Sequence, residues 1–109
     1  MKIIFNDDNK SEIQNFLGGE GVFEAHIVND GLNKIIKGKL MPNSSIGKHA
    51  HENSSEIMFI VSGEGMAICD GIRYDLKEGD CHYCKKGSSH TLINTGANPL
   101  CFYAVVPVQ

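Results

Sequence analysis

The sequence predicts an all-β protein: an antiparallel barrel or sandwich of roughly eight to ten short strands. Two observations carry this. Short runs rich in Val, Ile, Phe and Tyr recur, each closed after about 8–12 residues by Gly, Asn, Asp or Pro. The run Met-Ala-Ile-Cys, then Asp70-Gly71, then Ile-Arg-Tyr-Asp-Leu, has the form of a hairpin, because Asp-Gly suits the two positive-φ positions of a type I′ turn.

The chain reads as follows. "SEIQNFLGG" forms one short helix, with Ser11 as N-cap, Gly18 as C-cap and Ile13, Phe16 and Leu17 on one face. Residues 22–28 are a strand, "NDG" (29–31) turns, and residues 32–41 continue extended until Pro42-Asn43. Ile57–Val61 is a strand apolar on both faces; its outer side needs cover, from the amino-terminal segment or from a second subunit, and a homodimer is expected. Met58 and Ile60 share parity with Glu56 and should face the interior. Further strands are expected over 66–69, 72–76, 81–84, 90–94 and 100–108.

At 109 residues the chain has the size of one small domain, 1–109. A net charge of −3 gives no electrostatic footprint for nucleic acid or an anionic membrane. The amino-terminal apolar run of three residues is too short for a secretory signal, which needs about 7–15. The run "CFYAVVPV" falls short of the ~20 residues that span a bilayer. A cytoplasmic protein with reduced thiols is expected.

Chemistry concentrates in two stretches. In "HAHENSSE" the side chains of His49 and His51 share a face if the chain is extended, so their imidazoles converge. Glu56 opens an apolar strand, and a carboxylate there needs a partner. In "GDCHYCKKGSSH", Cys81 and Cys84 invite a zinc or redox reading. Three residues apart on a strand, they point to opposite faces and cannot share an ion or a disulfide. They read as small hydrophobes. His26 reads as a core or rim histidine; His82 lines the pocket or lies outside it.

"HAHENSSEIMFIVSG" has the form H-x-H-x4-E-x6-G, and "GDCHYCKKGSSHTLIN" the form G-x7-G-x2-H-x3-N. These resemble the two motifs of the cupin family, at 43–63 and 79–94, separated by residues 64–78. Asn43 stands where the family has glycine and Lys85 where it has proline. The resemblance implies a double-stranded jelly-roll barrel. It implies that His49, His51, Glu56 and His90 bind one divalent transition metal (Mn, Fe, Zn, Ni, Co or Cu). It makes Gly63, Gly79 and Gly87 turn residues and Asn94 a structural polar residue near the site. Such a donor set leaves coordination positions open. The expected function is metal-dependent chemistry on a small organic molecule. With Fe or Mn this is oxygen-dependent oxidoreductase or decarboxylase chemistry. With Zn or Ni it is isomerase, lyase or cyclase chemistry, with Glu56 as ligand or catalytic base. The alternative is a non-catalytic small-molecule binding or sensor protein.

Overall fold

The computed structural model describes residues 1–109. Ten strands follow in order: β1 (Lys10–Gln14), β2 (Val22–Asn29), β3 (Asn33–Leu40), β4 (Ser45–Ala50), β5 (Glu56–Ser62), β6 (Glu64–Cys69), β7 (Ile72–Lys77), β8 (Cys81–Cys84), β9 (Ser89–Asn94) and β10 (Leu100–Pro107). All pairings are antiparallel. One sheet runs β1-β2-β3-β10-β5-β8 and the other β4-β9-β6-β7. This is the expected double-stranded jelly roll.

The core fills the space between the sheets. Phe102, Leu40, Met58 and Leu100 are its largest fully buried side chains. Each comes from the inward set of an alternating strand, as in β5, where Glu56, Met58 and Ile60 are buried and Phe59 and Val61 exposed. β3 passes the ring of Phe102 at Gly38, where a Cβ would lie 2.5 Å from Phe102 Cζ. Only glycine permits that approach.

The turns follow the residue chemistry. Asp70 and Gly71 have φ of 50° and 80°, as the hairpin requires. Asn43 takes φ 62°, a left-handed position that asparagine tolerates. Gly63, Gly79 and Gly87 lie at φ 88–90°.

The amino-terminal helix expected over 11–18 does not form. Residues 10–14 are β1, and only Phe16–Gly18 makes a single 3-10 turn. Ser11 caps nothing; it sits opposite Ala25, and Ile13 opposite Phe23, in the β1–β2 ladder. A helix of six or seven residues is marginal by itself, and the free edge of β2 offers a full set of backbone partners. Asn15 and Leu17 bend the chain away with φ of 53° and 55°. This turn packs on β4, where the backbones of Leu17, Gly19 and Gly47 touch so closely that neither glycine could carry a Cβ.

The amino-terminal segment covers little of β5. Phe5 packs on Tyr103 and His26, with ring centroids 6.1 and 5.8 Å away. Phe59 stays 53% and Val61 45% exposed.

Candidate metal centre

Three strands converge on one point. His49 lies near the end of β4, directly opposite His90 on β9, and His51 follows one residue beyond β4. Glu56 opens β5 on the other sheet. One donor atom from each of these four residues lies within 4.8 Å of every other. Glu56, His51 and His90 are buried.

The imidazoles are oriented from behind. His49 Nδ1 lies 2.8 Å from the carbonyl of Gly47, which can only accept, so Nδ1 carries the proton and Nε2 a lone pair. His51 Nδ1 lies 3.3 Å from Ser54 Oγ. His90 Nδ1 lies 2.9 Å from Nε2 of the buried His82. All three rings therefore turn Nε2 to the centre. His90 Nε2 is 3.1 Å from His49 Nε2, 3.1 Å from His51 Nε2 and 2.9 Å from Glu56 Oε1; His51 Nε2 is 3.2 Å from Glu56 Oε1.

This cluster has more lone pairs than its protons can satisfy. An imidazole nitrogen has at most one hydrogen to give, yet His90 Nε2 faces three acceptor-capable atoms. A cation at the centre would satisfy all four donors at once. Three nitrogens and one carboxylate oxygen suit a late first-row divalent ion.

The titration behaviour agrees. Without a metal, burial would raise Glu56, but hydrogen bonds and positive charge from His51 and His90 in their protonated forms bring it down to about 2, so it is a carboxylate at neutral pH. Burial is the largest influence on His49 and lowers it, which favours the neutral ring a metal needs.

The cluster opens onto a cavity of about 100 Å³. Ten of the fifteen lining residues are hydrophobic, among them Phe23, Met58, Leu92 and Phe102. The remaining five are the four cluster residues and Lys34.

The other sequence candidates lie elsewhere. His26 sits on the outer face against Phe5. Cys81 is exposed and Cys84 buried, on opposite faces of β8, and all four cysteines are free. Asn94 is structural: its Nδ2 donates to the carbonyls of Leu40 (3.0 Å) and Asn98 (2.9 Å), and its Oδ1 accepts from the Gly96 amide. None of these partners is a cluster residue. Sequence reasoning missed the outer partners Gly47 and Ser54, and it left the side of His82 open. His82 faces His90 because β8 pairs with β5 in the register Met58–His82 and Glu56–Cys84.

Comparison with known proteins places this geometry. Residues 37–106 match the model of the cupin domain. A Thermotoga maritima protein named oxalate-binding protein is 39% identical, over 97% of this chain and 93% of its own length. An uncharacterised protein of Methanocaldococcus jannaschii is 28% identical over 92% of this chain and 82% of its own length. Among solved structures, a Thermotoga maritima protein described as a predicted oxalate decarboxylase superposes with a TM-score of 0.89 at 30% identity, covering 98% of this chain and all of that one. The cupin domain of Schizosaccharomyces pombe Cnp3 superposes with a TM-score of 0.80 at 7% identity, covering 98% of this chain and 74% of that one, a likeness of fold alone. With two motifs in place, four donors gathered at one end of a jelly roll and these matches along most of its length, the chain belongs to the cupin family.

Proposed function

We propose that the protein holds one divalent transition metal on His49, His51, Glu56 and His90, and that it binds a small carboxylate there for metal-dependent chemistry. The observation that carries this reading is the one-sided opening of the cluster. Protein closes the far side through Gly47, Ser54 and His82, and the near side faces a small apolar cavity. The name of the Thermotoga maritima relative, oxalate-binding protein, supports a small carboxylate as ligand.

When bound, the metal supplies Lewis acidity and open positions for carboxylate oxygens. The chain supplies the rest. Met58, Leu92 and Phe102 exclude water from the cavity wall, which strengthens any charge interaction inside. The three imidazoles are held at fixed angles by their outer partners. Glu56, ionised at neutral pH, balances part of the metal's charge and is the residue able to take a proton at the site. Binding without turnover is the second reading, favoured by the same relative's name, which specifies binding.

The protein is further proposed to be cytoplasmic and homodimeric. Four free thiols suit a reducing compartment, and no helix is long and apolar enough to cross a membrane. The dimer is supported by the outer face of β10, β5 and β8, where Tyr103, Phe59 and Tyr83 form an exposed apolar surface.

Metal content of purified protein, with His49→Ala as control, tests the site. Calorimetric titration of metal-loaded protein with oxalate, followed by assays of O2 uptake and CO2 release, tests the ligand and separates turnover from binding. Protein that takes up no metal after supplementation would sink the assignment.

A further inference from the structure

β3 carries a charge where its pattern calls for an apolar residue. Ile36, Gly38 and Leu40 are buried and face the barrel interior, while Lys37 and Lys39 are exposed. Lys34 has the parity of the inward set. It is partly buried and lines the same cavity as His49, His51, Glu56 and His90.

Nothing in the fold neutralises it. The ion pairs of the molecule are His51–Glu56, His90–Glu56 and Arg73–Asp75, so no carboxylate lies within 4.0 Å of the Lys34 ammonium. Its register neighbours, Asn29 on β2 and Val106 on β10, are uncharged. Drawing an ammonium toward an apolar wall without a counter-charge costs stability.

Lys34 also shares a cross-strand row with Glu56: it pairs with Val106 of β10, the strand between β3 and β5, and the β10–β5 ladder runs through Ala104–Met58 and Val105–Ile57 toward Glu56. The lining also includes Ile27 and Leu17, both exposed, so the cavity reaches the surface. Apart from Lys34 and the four cluster residues, the walls are hydrophobic. A ligand in the cavity therefore meets the metal donors, an ammonium from β3 and otherwise apolar walls.

We propose that Lys34 is the second anchor of the ligand. One carboxylate goes to the metal donors and a second anionic group to the Lys34 ammonium, so the protein selects short dianions, dicarboxylates above all, over monocarboxylates. This rests on the small-carboxylate reading and narrows it. A flexible four-carbon stem ending in a compact charge fits such an anchor, because the stem lies on the wall while the ammonium reaches the ligand.

The test uses Co2+-loaded protein titrated calorimetrically with oxalate, malonate, formate and acetate, in wild type, Lys34→Met and Lys34→Arg. Wild type should bind at least one dicarboxylate on the order of tenfold or more tighter than the monocarboxylates. Lys34→Met should erase that preference while keeping Co2+ affinity and monocarboxylate affinity, and Lys34→Arg should restore part of it. Lys34→Met should also unfold at the same temperature as wild type or higher, since an unpaired charge leaves an apolar wall; a lowered unfolding temperature would make Lys34 structural and overturn the proposal. A dicarboxylate preference that survives in Lys34→Met overturns the Lys34 assignment alone. Wild type that binds none of the four acids overturns the carboxylate reading, and this assignment with it.

Discussion

His82 Nε2 lies 2.9 Å from His90 Nδ1, and both rings are buried. His90 presents Nε2 to the cluster, so the proton it gives to His82 sits on Nδ1, and His82 must accept. His82→Phe keeps the ring volume and loses the acceptor. Metal affinity, read by competition with a chelating dye, should fall by about 10–100-fold. His82→Gln, whose Oε1 accepts a hydrogen bond, should recover part of the loss. Equal losses in both variants would mean that the ring matters for packing alone.

Acid should destabilise the metal-free protein in two stages. Burial is the first cause that lowers His49 and His82 below 6.5, with His90 adding to it in each case. The unfolded chain therefore takes up protons near pH 6.5 that the folded chain refuses, and stability falls as pH drops through that value. Glu56, at about 2 when folded against 4.5 when free, contributes stability that is full above 4.5 and is lost between 4.5 and about 2. Urea denaturation over a pH series should show both stages, and Glu56→Gln should flatten the lower one. A stability that rises on acidification from pH 7 to 5 would contradict this account.

The cysteines should differ sharply in reactivity. Cys81 is exposed. Burial pushes the Cys84 thiol up to about 12, and Cys69, with its sulfur 4.0 Å away, contributes to the rise. Thiolate is the reactive form. Ellman's reagent should therefore label Cys81 in the native protein and reach Cys84 only after denaturation. Cys81→Ser should keep full metal affinity; a loss would revive a metal role for the thiols.

Tyr103, Phe59 and Tyr83 place an aromatic surface on the outer face of the larger sheet. Light scattering should give twice the 11.9 kDa chain mass, and Phe59→Lys should return it to 11.9 kDa. Wild type that scatters as a single chain removes the dimer.

Most strands were legible in the sequence because they depend on local pattern, and the four clustered residues because their spacing resembles the two cupin motifs. Alternation placed Met58 and Ile60 beside Glu56, and Asp70-Gly71 declared its hairpin. The first strand was not legible. Ile13, Phe16 and Leu17 have helical spacing, and Ser11 and Gly18 look like caps, but the deciding fact is the open edge of β2, which lies outside the segment. His82 and Lys34 escaped for the same reason. Their inward orientation follows from cross-strand register, with His82 against Met58 and Lys34 against Val106, and register is a property of the assembled sheet.

Glu56 belongs to the larger sheet, while His49 and His90 belong to the smaller one and His51 follows directly from it. The sheets exchange no strand pairing there, so a cation held by all four would act as a clasp between two leaves. Loading would then register as mechanics as well as chemistry: amides of β4, β5 and β9 should exchange with deuterium more slowly together, as one cooperative unit, than either leaf does by itself.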